Sequence, residues 1–302
     1  MVKKKILITG VAGFIGSKIA KSLIKSNYKV FGVDDFSSGM EKNIPKEVDF
    51  IKMDLSNKKK TESLPKNCDV ILHLAGQSSG ERSFESPQAD LNKNTMSTLN
   101  LISYGINNKA KRIVFASSMS VYGDHNKKLK EEFRLNPKSC YGISKLTSEN
   151  YLKLFSKKIP FVSLRMFNVY GPGQNLSDLK QGMVSIYLAQ AQKKNKILVK
   201  GSLNRVRDFI YIDDVVEVWK KAIYKKNILN KSFNLGTGIP TSVKKITSLI
   251  LKNFNNCKII NTIGTPGDQS YVCANNKFLK KYFNYKKFIG IEEGLKRFLY
   301  EM

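Results

Sequence analysis

Apolar positions along the chain change period several times, and each change marks an element. Lys5-Ile6-Leu7-Ile8-Thr9 is a short continuous apolar run, the pattern of a strand covered on both faces. Ile15, Ile19, Ala20, Leu23 and Ile24 then recur at helical spacing. Lys29-Val30-Phe31-Gly32-Val33 returns to the strand pattern and ends at Asp34. Residues 5–34 therefore predict one strand–helix–strand unit. Further buried strands are predicted at 69–74, 112–116 and 161–165, with helices at about 90–107 and about 141–156. Strands alternating with helices predict the α/β class, a doubly wound parallel sheet. After Gly171-Pro172-Gly173 the alternation weakens. A helix is expected near 181–194, and Phe233-Asn234-Leu235-Gly236 is a candidate further strand of the main sheet. This predicts a Rossmann-type domain from 1–168 and 209–238, and a smaller discontinuous domain from 169–208 and 239–302.

Lys3–Lys5 before an apolar run could pass for the start of a secretory leader. Gly10, Gly13 and Gly16 interrupt that run and no small-residue cleavage site follows, so strand, turn and helix are favoured. No apolar run reaches the ~18–20 residues of a membrane helix, so no membrane insertion is expected. The apolar fraction of 41% is enough to build a core. Four cysteines, Cys68, Cys140, Cys257 and Cys273, show no CxxC spacing and with two histidines form no zinc pattern. No metal is expected, and a reduced, cytoplasmic setting fits.

The formal charge of +28 raises the question of an anionic partner. Only seven of the 52 basic residues are arginine, and the lysines are scattered, often beside asparagine. Scattered charge of this kind is usually a solvated face. No tract interleaves basic and aromatic residues, so no nucleic-acid partner is expected.

Three motifs carry chemistry. Gly10-Val11-Ala12-Gly13-Phe14-Ile15-Gly16 is a GxxGxxG turn between strand and helix. Glycines there let the backbone approach a pyrophosphate, and the helix N-terminus supplies free N–H groups and positive dipole. Asp34 ends the next strand eighteen residues after Gly16. An acid at that point accepts ribose hydroxyls and repels a 2′-phosphate, which favours NAD over NADP. Tyr141-Gly142-Ile143-Ser144-Lys145 places a tyrosine and a lysine on one helical face. An ammonium beside the phenol is expected to lower the tyrosine pKa toward neutrality, suiting it to exchange a proton with a sugar hydroxyl. Ala116-Ser117-Ser118-Met119-Ser120-Val121-Tyr122-Gly123 follows a strand, at the end where open α/β sheets bind ligands.

Taken together, the chain resembles the extended short-chain dehydrogenase/reductases that act on nucleotide sugars, and within them the UDP-glucose 4-epimerases. The resemblance runs from Thr9–Gly16 and Asp34 through Asp54-Leu55, His73-Leu74-Ala75-Gly76 and Ser117–Gly123. It continues through Tyr141–Lys145, Arg165–Pro172, Arg207–Asp214 and Pro266-Gly267-Asp268. It implies NAD as cofactor, a UDP-hexose as substrate and a homodimer packed through the helices near 93–107 and 141–156. It implies Tyr141 as catalytic base and acid, Lys145 as its partner on the nicotinamide ribose, and Ser118 beside the substrate oxygen. Gly10, Gly13, Phe14, Ile15 and Gly16 would hold the pyrophosphate, and Asp34 the adenosine ribose. Asp54 and Leu55 would meet the adenine end, and Ala75 and Gly76 would line the trough. Asn94 falls near the site. Asn168, Arg207 and Asp268 would bind substrate, with Arg207 gripping the diphosphate; Arg207 could instead pair locally with Asp208.

Four positions bear on how far the family pattern holds. Met119 and Ser120 stand where many 4,6-dehydratases carry an Asp-Glu pair, which argues against dehydration. Thr265 stands where many 4-epimerases place a second diphosphate arginine, so phosphate binding must rest on Arg207 or on an unidentified lysine. Val272 falls near the position that limits an N-acetyl group and, being of intermediate size, leaves the sugar open. Reductase, decarboxylase and dehydratase chemistry remain alternatives on the same fold, and a nucleic-acid-binding or regulatory NAD-fold protein is the alternative of another class.

Overall fold

The predicted first unit forms as β1 (Lys5–Thr9), α1 (Phe14–Lys25) and β2 (Lys29–Asp34) in a computed structural model that describes residues 3–265, 267–285 and 287–302. Next come β3 (Asp49–Lys52), α2 (Lys58–Glu62), β4 (Val70–His73), α3 (Gly80–Glu85), α4 (Pro87–Leu91) and α5 (Ser97–Asn107). The middle of the chain forms β5 (Arg112–Ser118), α6 (Cys140–Leu154), β6 (Phe161–Met166), β7 (Asn168–Tyr170) and α7 (Met183–Lys194). The last part forms β8 (Lys196–Lys200), β9 (Val206–Arg207), β10 (Phe209–Tyr211), α8 (Ile212–Tyr224) and β11 (Lys231–Leu235). It closes with β12 (Thr241–Ser242), α9 (Val243–Leu251), β13 (Lys258–Thr262), α10 (Lys277–Phe283) and α11 (Ile291–Tyr300).

Seven strands make one parallel sheet in the order β11-β6-β5-β4-β1-β2-β3. Between β2 and β4 the order reverses about β1, so a crevice opens above the strand ends beside the glycine turn. Side chains alternate across the sheet: Ile6 and Ile8 enter the apolar layer that holds Trp219 of α8, while Leu7 enters the layer with Leu101 of α5 and Leu152 of α6. The sheet is thus covered on both faces, which is why its central strands read as continuous apolar runs.

The segment Phe233–Leu235 joins the main sheet as part of its edge strand. The helix expected at about 90–107 is broken: α4 leads into a π-helical turn, Asn92–Met96, before α5. Strand β3 was not expected, because Asp49-Phe50-Ile51-Lys52 pairs on one side only and carries a charge at each end. Three two-stranded sheets, β7 with β10, β9 with β12 and β8 with β13, assemble residues from 168–211 and 241–262 beside the strand ends. None of the described helices is long and apolar enough to cross a membrane.

Candidate active site

The glycine turn is built by close approach. Gly10 has φ +72°, and a Cβ there would lie 2.7 Å from the Ala75 backbone nitrogen. A Cβ on Gly16 would lie 2.1 Å from the Gly10 carbonyl oxygen. The first turn of α1, opening at Phe14, has no side-chain cap and no acid, so its N–H groups face the crevice ready for an anion. Asp34 is buried; Oδ2 accepts from the Ala12 N–H at 2.9 Å and Oδ1 from the Phe36 N–H at 2.9 Å. Burial raises its carboxyl and those backbone donors oppose the rise.

All twelve residues expected to hold the cofactor line one trough: Gly10, Gly13, Phe14, Ile15, Gly16, Asp34, Asp54, Leu55, Ala75, Gly76, Tyr141 and Lys145. A glycine floor at a helix N-terminus, with a carboxylate at one end and a Tyr–Lys pair at the other, fits a dinucleotide. Lys93 was missed by the sequence reading and lies in the trough wall, where its ammonium pairs with Asp35 and, at 2.8 Å, with Asp54. No local pattern marks it; residues 58 and 39 positions away in the chain give it its place.

Ser139 caps α6, its hydroxyl accepting from the Gly142 N–H at 3.1 Å, and the helix carries Tyr141 and Lys145 on its buried face. The Lys145 Nζ stands 5.7 Å from the Tyr141 ring centroid and 5.0 Å from that of Phe115. The expected lowering of the phenol is not found in the protein by itself. Burial pushes Tyr141 up to about 12, with the Ser118 hydroxyl pulling it back and Asp90 adding to the rise. The reason is the phenol's own burial; Lys145 is buried beside it, and desolvation brings its ammonium down to about 8 against an upward pull from Asp90. Asp90 itself was missed. It is 1% exposed and accepts from Ser144 Oγ at 2.6 Å, Gln77 Nε2 at 2.8 Å and Asn94 Nδ2 at 3.0 Å. Asn94 lies in the π-helical turn, its buried Oδ1 without a hydrogen-bond partner among the described residues and close against Gly76. His73, under the same floor, is held between the Thr9 and Thr98 hydroxyls and pushed down to about 3 by burial, so it stays neutral.

A second, wider cavity opens from the trough, and Phe14, Ile15, Tyr141 and Met166 belong to both. Ser118, Asn168, Arg207 and Asp268 all line it, together with Met119, Ser120 and Thr265. Ser118 Oγ donates to Ser120 Oγ at 3.1 Å. Asn168 Nδ2 donates to the Asp208 carbonyl at 3.0 Å.

Four expectations about this wall need correction. Arg207 does not pair with Asp208, whose carboxylate instead accepts from Thr237, Gly238 and Ala274. Asp268 lines the cavity, but its carboxylate is already engaged by Arg207 and Arg205. No lysine stands free to assist Arg207 among the described wall residues, since Lys180 pairs with Glu85 and Lys200 with Glu81. Val272 is 1% exposed in an apolar cluster with Tyr122 and Phe167 and does not line the cavity. Pro266, part of the Pro266-Gly267-Asp268 motif, lies outside the described residues.

Residues 6–236 match the family model described as the NAD dependent epimerase/dehydratase family. The chain is 33% identical to a protein of Methanocaldococcus jannaschii described as a putative UDP-glucose 4-epimerase, over 97% of this chain and 96% of that one. The crystal structure of a Thermotoga maritima UDP-glucose 4-epimerase with UDP-glucose superposes with a TM-score of 0.92 at 30% identity, covering 98% of both chains. A Xenopus tropicalis UDP-glucuronic acid decarboxylase is 27% identical over 98% of this chain and 71% of its own length. With the family model covering most of the chain, a glycine turn, acid and Tyr–Lys pair gathered in one trough, and the Methanocaldococcus and Thermotoga proteins matched nearly end to end, the chain belongs to the NAD-dependent epimerase/dehydratase family of enzymes acting on nucleotide sugars.

Proposed function

We propose that the enzyme interconverts a UDP-hexose and its C4 epimer through a 4-keto sugar. The observation that carries this reading is the junction of the two cavities. Tyr141 stands at that junction, and the wall beside Ser118 offers Met119 and Ser120 rather than acids. Dehydration needs an acid and a base at C5 and C6, and that stretch of wall supplies neither.

NAD, when bound, supplies reversible hydride exchange at C4. Gly10, Gly13, Phe14, Ile15 and Gly16 would hold its pyrophosphate, Asp34 its adenosine ribose, Asp54 and Leu55 its adenine end, and Ala75 and Gly76 the floor. Tyr141 Oη takes the proton of the C4 hydroxyl and returns it after the sugar has turned over about its diphosphate linkage. Ser118 Oγ hydrogen-bonds the same oxygen. Lys145, with a pKa near 8, carries its charge at neutral pH and opposes the cost of a buried phenolate. Asn168 and Arg207 hold the sugar diphosphate. Asp268 acts through the arginines it binds.

We also propose the division of the chain into 1–168 with 209–238 and 169–208 with 239–302, a cytoplasmic setting and a homodimer. In support of the dimer, Ile143 and Leu154 of α6 are 54% and 72% exposed and lie eleven residues apart, three turns along one helical face. Leu91 and Met96 are exposed on the neighbouring helical run.

The test is NMR of the enzyme with UDP-glucose, UDP-galactose, their N-acetyl forms and UDP-glucuronate in turn, with no added reductant. Appearance of the C4 epimer from one of them supports the reading. Accumulation of a 4-keto-6-deoxy sugar, or loss of the C6 carboxylate, overturns it. Tyr141→Phe should lower turnover on the order of 10²–10⁴-fold while leaving bound NAD in place. Unchanged turnover in that variant, with salt-sensitive RNA binding, would instead favour the nucleic-acid module.

A further inference from the structure

We propose that Arg205 is a second ligand for the diphosphate of the substrate, held ready beside Arg207 by the carboxylate they share. The inference rests on the nucleotide-sugar reading above. Arg205 immediately precedes β9 and Arg207 ends it, and both guanidiniums converge on Asp268. Both line the second cavity and both are nearly buried, at 8% and 5% exposure. Arg205 Nη1 and Arg207 Nη2 donate to the two oxygens of Asp268. Arg205 Nε donates to the Ser202 carbonyl at 2.9 Å, and Arg207 Nη1 to the Val206 carbonyl at 2.8 Å.

Two buried cations therefore share one anion. An ion pair with a purely structural role needs one arginine for that carboxylate; the second leaves a positive charge in a desolvated wall, which is costly unless an anion arrives. Asp268 keeps the two guanidiniums side by side, so little ordering remains to be done when a ligand binds. Two adjacent planar forks suit the two phosphates of a nucleoside diphosphate. Thr265, on the same wall, offers no charge. Arg205, the residue just before β9, thus supplies the cation that Thr265 lacks, and not a lysine.

The probe is UDP, titrated by calorimetry into the parent enzyme, Arg205→Gln and Arg207→Gln, with NAD binding measured in parallel. Losing a charge-assisted contact should weaken UDP binding by about 10- to 100-fold in Arg205→Gln. The slope of affinity against salt should also fall, and NAD affinity should stay at the parent value. If Arg205→Gln binds UDP like the parent while Arg207→Gln does not, Arg205 is no diphosphate ligand and the proposed function stands. If UDP and NAD affinities fall together, Arg205 serves the fold, and the proposal is again overturned. If the parent binds neither UDP nor GDP nor dTDP, the nucleotide-sugar reading fails first, and this one with it.

Discussion

Beneath the Tyr141–Lys145 face of α6, Glu149 and Arg165 form an ion pair in which both side chains are almost wholly buried. Arg165 Nε and Nη2 donate to Glu149 at 3.0 and 2.8 Å, and Ser163 Oγ donates to it at 2.9 Å. Arg165 Nη1 also donates to Tyr122 Oη at 2.8 Å, and that hydroxyl donates to Asn234 at 2.6 Å. Burial pushes the Glu149 carboxyl up, but the Arg165 charge and its hydrogen bonds outweigh burial and leave it below its ordinary value. A carboxyl lowered on folding adds stability above its unfolded value, and that stability disappears as pH falls through the folded value. Glu149→Gln should therefore cost on the order of 3 kcal/mol at pH 7, because it leaves the buried Arg165 charge unmatched. Urea unfolding at several pH values should show that cost shrinking below pH 4.5, the ordinary value of a free glutamate carboxyl. A cost that does not change with pH would mean that the pair is not ionised.

At the scale of elements, the glycine turn and α6 are the two pieces whose local sequence already states their chemistry. The turn tolerates no Cβ at Gly16, where the obstacle is the backbone carbonyl of Gly10 and not a side chain that could move aside. Gly16→Ala should destabilise the protein by about 1–3 kcal/mol and strip NAD during purification. Melting temperature and the NAD content of the purified protein measure the two effects, and a variant that keeps both parent values refutes the tight-turn account. Helix α6 was legible because its Tyr–Lys pair, its Ser139 cap and its buried face lie within one continuous stretch of chain. Strands β8 and β13 were not legible. Each has lysine at one or both ends, and each becomes a strand by pairing with the other, partner residues lying 62 positions apart in the chain.

For the molecule as a whole, the trough and the wider cavity become one site because the chain after β7 returns over the sheet ends. Arg82 of α3 holds Asp178 through two hydrogen bonds at 2.9 Å, and Ser79 Oγ donates to the Lys180 carbonyl at 2.8 Å. These contacts bring Gln181 and Ser78 to the margin of both cavities. The proposed dimer has a direct test at this scale. The parent enzyme should elute as a dimer by light scattering, and Ile143→Glu with Leu154→Lys should elute as a monomer. A monomeric parent would remove the dimer from the description.

The sequence by itself determined the α/β class, the central strands, the glycine turn with Asp34, and the Tyr141–Lys145 pair with Ser118. Each is written in short local stretches whose spacing places them on one strand, one turn or one helical face. Which charges neutralise one another was decided only in the tertiary structure. Asp268 meets Arg205 and Arg207 from about sixty residues away, and Lys93 meets Asp35 and Asp54. The protonation behaviour of Tyr141 and Lys145 was decided there too. A side chain's pKa depends on how much water the fold removes around it, and the four-residue spacing that brings the two together carries no record of that.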